Sequence, residues 1–170
     1  MRQPDDIQAR KAELIAAMKA AFGTDQRRID HALAVLTHAE AILTQDQADA
    51  LTVYAAAILH DIGIQAAERK HGSAAGKYQE IEGPPLARAI MQRLRMAPAT
   101  INHVCRIVGS HHSADDIDTP EFRIIWDADC IVNALDEHGH DQQRLNDIVE
   151  RIMKTPTGRE RARQVFFRKT

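Results

Sequence analysis

Apolar residues recur at helical spacing along nearly the whole chain, and no stretch alternates apolar with polar residues between hairpin turns. Such a chain has no sheet to build on and must pack helices against helices. Met1 to Ala21 carries Ile7, Leu14, Ile15 and Met18 as one stripe. Thr24 or Asp25 is placed to cap a second helix, whose inner side holds Ile29, Leu33, Leu36, Ala39, Ile42 and Leu43. Thr44 or Asp46 is placed to cap a third, and Gly63 suits its C-terminal end. Residues 65–83 are polar with three glycines, which predicts short helical turns and a surface loop. Gly83-Pro84-Pro85 then predicts a helix start, running to about Leu94, because proline is tolerated in a first turn. Ala97-Pro98 predicts another, to about Ser110. Glu121–Leu135, Asp141–Met153 and Gly158–Phe167 complete the set. The expected fold is all-α, a compact orthogonal helical bundle with short connections. A length of 170 residues suits one domain. Its motif-bearing core is expected at about 25–138, with an N-terminal helix over 1–22 and C-terminal helices over 141–170.

Charge and cysteine usage narrow the class of function. A formal charge of −2 gives no electrostatic case for binding nucleic acid or a membrane surface. The basic run GRERARQVFFRK near the C-terminus reads as a solvated helix face. Cys105 and Cys130 show no CxxC spacing and lie in apolar segments, so two buried free thiols in a reducing cytoplasm are expected. The N-terminal MRQPDDIQARK has no apolar core of a signal peptide, and the uninterrupted apolar run Val53 to Leu59 is too short to span a bilayer.

Polar residues inside the apolar helices carry the chemistry. The stretch VYAAAILHDIGI sets His60 and Asp61 side by side at the end of an apolar run. The second helix holds His31 and, seven residues on, His38 on the same side. RIIWDADCIVNAL places Asp127 and Asp129 in an otherwise apolar helix. Buried polar groups are costly unless paired, and one divalent metal would pair several at once. Imidazole with carboxylate suits manganese, iron, cobalt, nickel or zinc.

The order His31, then His60-Asp61, then Asp129 resembles the HD superfamily of metal-dependent phosphohydrolases, named for its adjacent His-Asp pair. ILHDIG resembles the family's central motif and DADCIVNAL its last one. The likeness covers about Arg28 to Leu135. It implies one divalent metal held by His31, His60, Asp61 and Asp129. Asp129 is preferred to Asp127 because it follows the alanine as the family's ligand does, which leaves Asp127 behind the ligands or on the surface. Some branches hold a second metal with a histidine pair like His111-His112 and a further histidine in the preceding segment. Here that segment reads GKYQEIEGPP, with Gln79, Glu80 and Glu82 and no histidine, and the GYP signature of cyclic-dinucleotide phosphodiesterases is absent. One metal is therefore expected, with His111 facing it as a substrate or water contact and His112 either beside it or in solvent.

The resemblance implies hydrolysis of a phosphomonoester or phosphoanhydride, often of a nucleotide, by metal-activated water. Asp61 would ligate and orient or deprotonate the water, and His111 or Glu80 would protonate the leaving group. Arg28, Lys70 and Lys77 can each meet a phosphate, Lys77 foremost. His38, His71, His103, His138 and His140 read as core, rim, loop or surface residues, and Trp126 as core. The expected partner is a small phosphorylated substrate, with a homodimer left open and neither nucleic acid nor membrane involved. Two rival readings are a metal-bearing module that senses a nucleotide without turning it over, and a di-iron HD oxygenase.

Overall fold

The structure is a computed structural model and describes residues 4–167. Nine helices follow one another, with no strand among the described residues: α1 (Pro4–Phe22), α2 (Gln26–Leu43), α3 (Ala50–Leu59), α4 (Ile64–His71), α5 (Gly76–Arg93), α6 (Pro98–Val108), α7 (Pro120–His138), α8 (Gln142–Arg151) and α9 (Pro156–Phe166). The all-α expectation holds.

Helix starts are set by local side-chain caps that satisfy otherwise orphaned N–H groups. Asp25 accepts from Arg28 N–H, Thr119 from Phe122 N–H and Thr155 from Gly158 N–H. The third helix differs from expectation. Asp49, not Thr44 or Asp46, caps it by accepting from Thr52 N–H at 2.8 Å. Thr44 instead closes α2, its N–H bonded to Glu40 O, and Asp46 accepts from Thr157 Oγ1 at 3.2 Å.

Helix α3 is the axis of the molecule. It packs against α1, α2, α6 and α7, and of Leu51–Leu59 only Tyr54 is not buried. A helix that is apolar on every side belongs in a core. By length and composition alone, the span Ala50–His71 is apolar enough to cross a membrane, yet 72% of its most apolar window is buried inside the fold. The α-helix also breaks at residues 60–63.

The segment expected to hold short helical turns and a surface loop is mostly helical, with only residues 72–75 left as a connection. Residues 64–71 form α4, and α5 runs through Gly83, Pro84 and Pro85 rather than starting there. Tertiary packing overrides the local breakers. Gly63 and Gly83 let the α4 start and mid-α5 meet backbone to backbone: a Cβ on Gly63 would lie 2.5 Å from Gly83 N. A Cβ on Gly83 would lie 2.7 Å from Val108 Cγ1 of α6. Gly63 therefore serves close approach, and its φ of −81° is ordinary rather than left-handed. Cys105 is buried as expected, whereas Cys130 is only partly so; burial and the nearby carboxylates of Asp129 and Asp127 push the Cys130 thiol up to about 12.

Candidate metal centre

Three helices deliver the central side chains to one point. His31 projects from the second turn of α2, His60 and Asp61 from the turn that ends α3, and Asp129 from the middle of α7. Adjacent residues inside a helix diverge by about 100°, and the ending of α3 lets His60 and Asp61 converge. His31 Nε2 lies 3.0 Å from Asp129 Oδ1, 3.3 Å from His60 Nε2 and 3.5 Å from Asp61 Oδ2. His60 Nε2 lies 3.4 Å from Asp61 Oδ2 and 3.5 Å from Asp129 Oδ1. Donor atoms about 2.1 Å from a common centre stand roughly 3.0 Å apart at octahedral angles and roughly 3.4 Å apart at tetrahedral ones. His31, His60 and Asp129 offer donor atoms within 4.8 Å of one another and fit a single divalent cation in spacing and ligand chemistry, and Asp61 Oδ2 stands close enough to both imidazoles to join them.

Two of the rings are aimed from behind. His60 is fully buried, and its Nδ1–H donates to Ala57 O at 2.8 Å, which turns Nε2 toward the cluster. His111 is held the same way, Nδ1–H to Val108 O at 2.7 Å, with Nε2 3.3 Å from Asp61 Oδ1. Burial opposes charge here, but the groups compensate one another. Burial would lower His60, and the Asp61 and Asp129 carboxylates raise it well above the usual imidazole range. Burial would raise Asp61, and His60 and His111 hold it well below the usual carboxylate range. Asp129 is likewise lowered by His31 and His60. The cluster therefore gathers cationic and anionic partners whose donor atoms all face inward.

A second group adjoins the first. Asp61, His111 and His112 also offer donor atoms within 4.8 Å of one another. The His111 and His112 rings lie 4.0 Å apart, and Gly76 makes room for the latter: a Cβ there would lie 2.7 Å from His112 Cγ.

The cluster sits at the floor of a cavity of about 990 Å³, which His31, Asp61, His112 and Asp129 help to line. That volume suits a small organic molecule. Arg28 also lines it, but its guanidinium already donates to Asp25 at 2.7 Å and to Glu68 at 2.6 Å. Lys77 and Lys70 do not line it. Lys77 is exposed, 4.8 Å above the Tyr78 ring, and Lys70 pairs with Glu82.

Glu80 corrects the expectation of a proton donor. Its Oε1 accepts from His112 N–H at 3.0 Å, Ser113 N–H at 2.8 Å and Ser113 Oγ–H at 2.9 Å. Burial raises its pKa, but these donors outweigh that and hold it below the usual range, the wrong direction for an acid. It anchors the turn that carries the histidine pair. Asp127 is neither behind the ligands nor on the surface. It is fully buried and accepts from Lys154 N–H at 2.7 Å and from Thr155 N–H and Oγ–H at 2.8 Å each. It ties α7 to the start of α9.

The remaining histidines lie elsewhere. His38 Nδ1 accepts from Arg161 Nε–H at 3.2 Å. His71 stacks on Tyr78 and meets Glu82 at 3.0 Å. His103, expected on a helix surface, is half-buried against Thr119 Oγ1 at 2.9 Å. Trp126 is half-buried beneath Lys154, whose Nζ lies 4.5 Å from the ring. Several cavity residues went unseen in the sequence, among them Arg27, Asp30, Glu68, Asp136 and Glu137. Arg27 stands four residues before His31, a spacing that places both on one helix face. Gln79, in the segment noted for its lack of a histidine, also lines the cavity.

A model of the HD domain family matches residues 28–134. No curated protein and no solved structure matches the chain.

Proposed function

Because the chain belongs to the HD-domain family, we propose that it is a metal-dependent phosphohydrolase acting on a small phosphomonoester or phosphoanhydride. The observation that carries this reading is the meeting of His31, His60 and Asp129 at spacings of 3.0–3.5 Å, with Asp61 Oδ2 3.4–3.5 Å from both imidazoles, beside a small-molecule cavity. His31, His60, Asp61 and Asp129 are the residues that would hold the cation. When bound, it supplies Lewis acidity toward a phosphoryl oxygen and a water of lowered pKa.

The chain's own groups supply the rest. Asp61 presents Oδ2 to the cluster and Oδ1 to His111. A proton leaving the attacking water can be accepted at Oδ1 and shared with His111 Nε2, which Val108 O holds in place. His112, at the cavity wall, is placed to meet the phosphoryl group or the leaving oxygen. Arg27 supplies positive charge at the same wall.

The test is phosphate and pyrophosphate release from a panel of sugar, amino-alcohol and nucleotide phosphates, using protein loaded with manganese, cobalt, nickel or ferrous iron. Turnover of one compound, lost by about 100-fold or more in a folded Asp61→Ala protein, supports the reading. Absence of turnover with every metal, from protein that binds metal, overturns it in favour of a sensing module. A second reading rests on the grouping of Asp61, His111 and His112, which favours a second cation and, with iron, oxygenase chemistry. Two irons per chain, with oxygen uptake and no phosphate release, would support it.

A further inference from the structure

One face of α5 backs the turn that carries the histidine pair. Gly76, Glu80 and Pro84 recur along it at four-residue spacing. Pro84 meets the start of the turn: a Cβ on Gly109 would lie 3.2 Å from Pro84 Cγ. Glu80 holds the middle, with Oε1 accepting from the N–H groups of His112 and Ser113 and from Ser113 Oγ–H. Gly76 lies against His112 itself. A Cβ there would stand 2.7 Å from His112 Cγ and 2.9 Å from His112 Cβ and Cδ2.

These distances decide which motions of His112 are open. Cβ and Cγ are the root of the side chain and stay in place when the ring turns about χ2. The backbone is pinned by the bond from His112 N–H to Glu80. A side chain at position 76 would therefore swing His112 about χ1, away from its present place with ring centroids 4.0 Å from His111. The backbone at position 76 does not itself call for glycine. Its φ lies outside the left-handed region, and it opens a helix, where alanine is the better former. The ring so held lines the cavity, and its donor atoms lie within 4.8 Å of those of Asp61 and His111.

Resting on the phosphohydrolase reading, we propose that this face of α5 is a seat that fixes the His112 ring toward the phosphoryl group, with Gly76 and Glu80 as its positioning residues. A group already in place needs no reorganisation when its ligand arrives. A histidine free to change rotamer would lose that freedom on binding, and affinity with it. The seat removes the loss beforehand.

The test compares four full-length chains loaded with manganese: wild type, Gly76→Ala, His112→Ala and the double variant. Calorimetry with inorganic phosphate gives Kd, and phosphate release from the ester panel gives kcat/KM. Gly76→Ala should weaken phosphate binding by about ten-fold, as for one lost hydrogen bond to a charged group. Its Tm and metal stoichiometry should stay at wild-type values. His112→Ala should lose as much, and the double variant no more than either single one. An unchanged Kd in Gly76→Ala overturns the proposal, as does a wild-type chain that binds no phosphate. Losses that multiply in the double variant also overturn it, because position 76 would then act without the imidazole. That comparison covers a Gly76→Ala chain that folds poorly, since misfolding persists in the His112→Ala background. The two readings part on the remaining results. Ester cleavage left unaltered by Gly76→Ala keeps the hydrolase and removes the seat. Phosphate binding that falls as expected, with no ester cleaved, keeps the seat and removes the hydrolase.

Discussion

Asp127 and Asp129 stand two residues apart on α7 and so point to nearly opposite sides of it. One enters the candidate metal centre and the other enters the joint with the α8–α9 connection, where its carboxylate takes three hydrogen bonds. Both are acids in an apolar helix, and sequence alone offers only a neighbouring alanine to tell them apart. Their replacement should separate them in the test tube. Asp127→Ala strands two N–H groups and a hydroxyl, and should cost about 3 kcal/mol. Thermal unfolding should show a fall in Tm of about 6–12 °C, with metal stoichiometry unchanged. Glu80 makes the same point in another way. A glutamate near a histidine pair reads as an acid, but its partners are backbone donors that no spacing rule reveals. Glu80→Gln should lower the rate by loosening the His111–His112 turn, yet leave the shape of the pH–rate profile as it was. Loss of a limb from that profile would return Glu80 to the chemistry.

At the scale of elements, the strongly periodic helices were legible and the segment between α3 and α6 was not. Gly72 does end α4, in the left-handed conformation, but Gly83, Pro84 and Pro85 lie inside α5, which is held by neighbours distant in sequence. The Gly63–Gly83 approach depends on α4 and α5 already lying together, which no window of sequence contains. The candidate ligands were picked out by their likeness to the HD motifs, since polar residues in apolar helices pointed equally to His38 and Asp127, which lie elsewhere. Arg27, Asp136 and Glu137 were not, since polar residues on exposed helix faces are ordinary. The link between α2 and α9 shows how an element contact governs acid response. Burial, with the Arg161 guanidinium beside it, depresses His38 from 6.5 to about 4. Between those values the unfolded chain takes up a proton that the folded chain refuses, so the stability from this group is present above about pH 6.5 and is lost as pH falls toward 4. His38→Gln should remove that component. The wild-type Tm should therefore fall more steeply than the variant's between pH 7 and pH 4.5, and parallel curves would contradict the assignment.

For the whole molecule, the candidate ligands lie far apart in the chain and join α2, the end of α3 and α7 across the core. A cation that binds only the folded arrangement stabilises all of it at once. At about 100 times its Kd this amounts to about 2.7 kcal/mol, or a rise in Tm of about 5–10 °C. Chelator should reverse the rise, and Asp129→Ala should abolish it. The meeting of α4 with α5 has a different reach, into what the chain can become by mutation. The two glycines there are not equivalent. A side chain at position 83 would press on Val108 Cγ1, a contact that Val108→Ala can relieve, so a two-step path out of glycine exists. A side chain at position 63 would press on the backbone of Gly83, and no substitution elsewhere shortens a backbone. Position 63 is a dead end in sequence space, fixed two residues from Asp61 by packing rather than by chemistry.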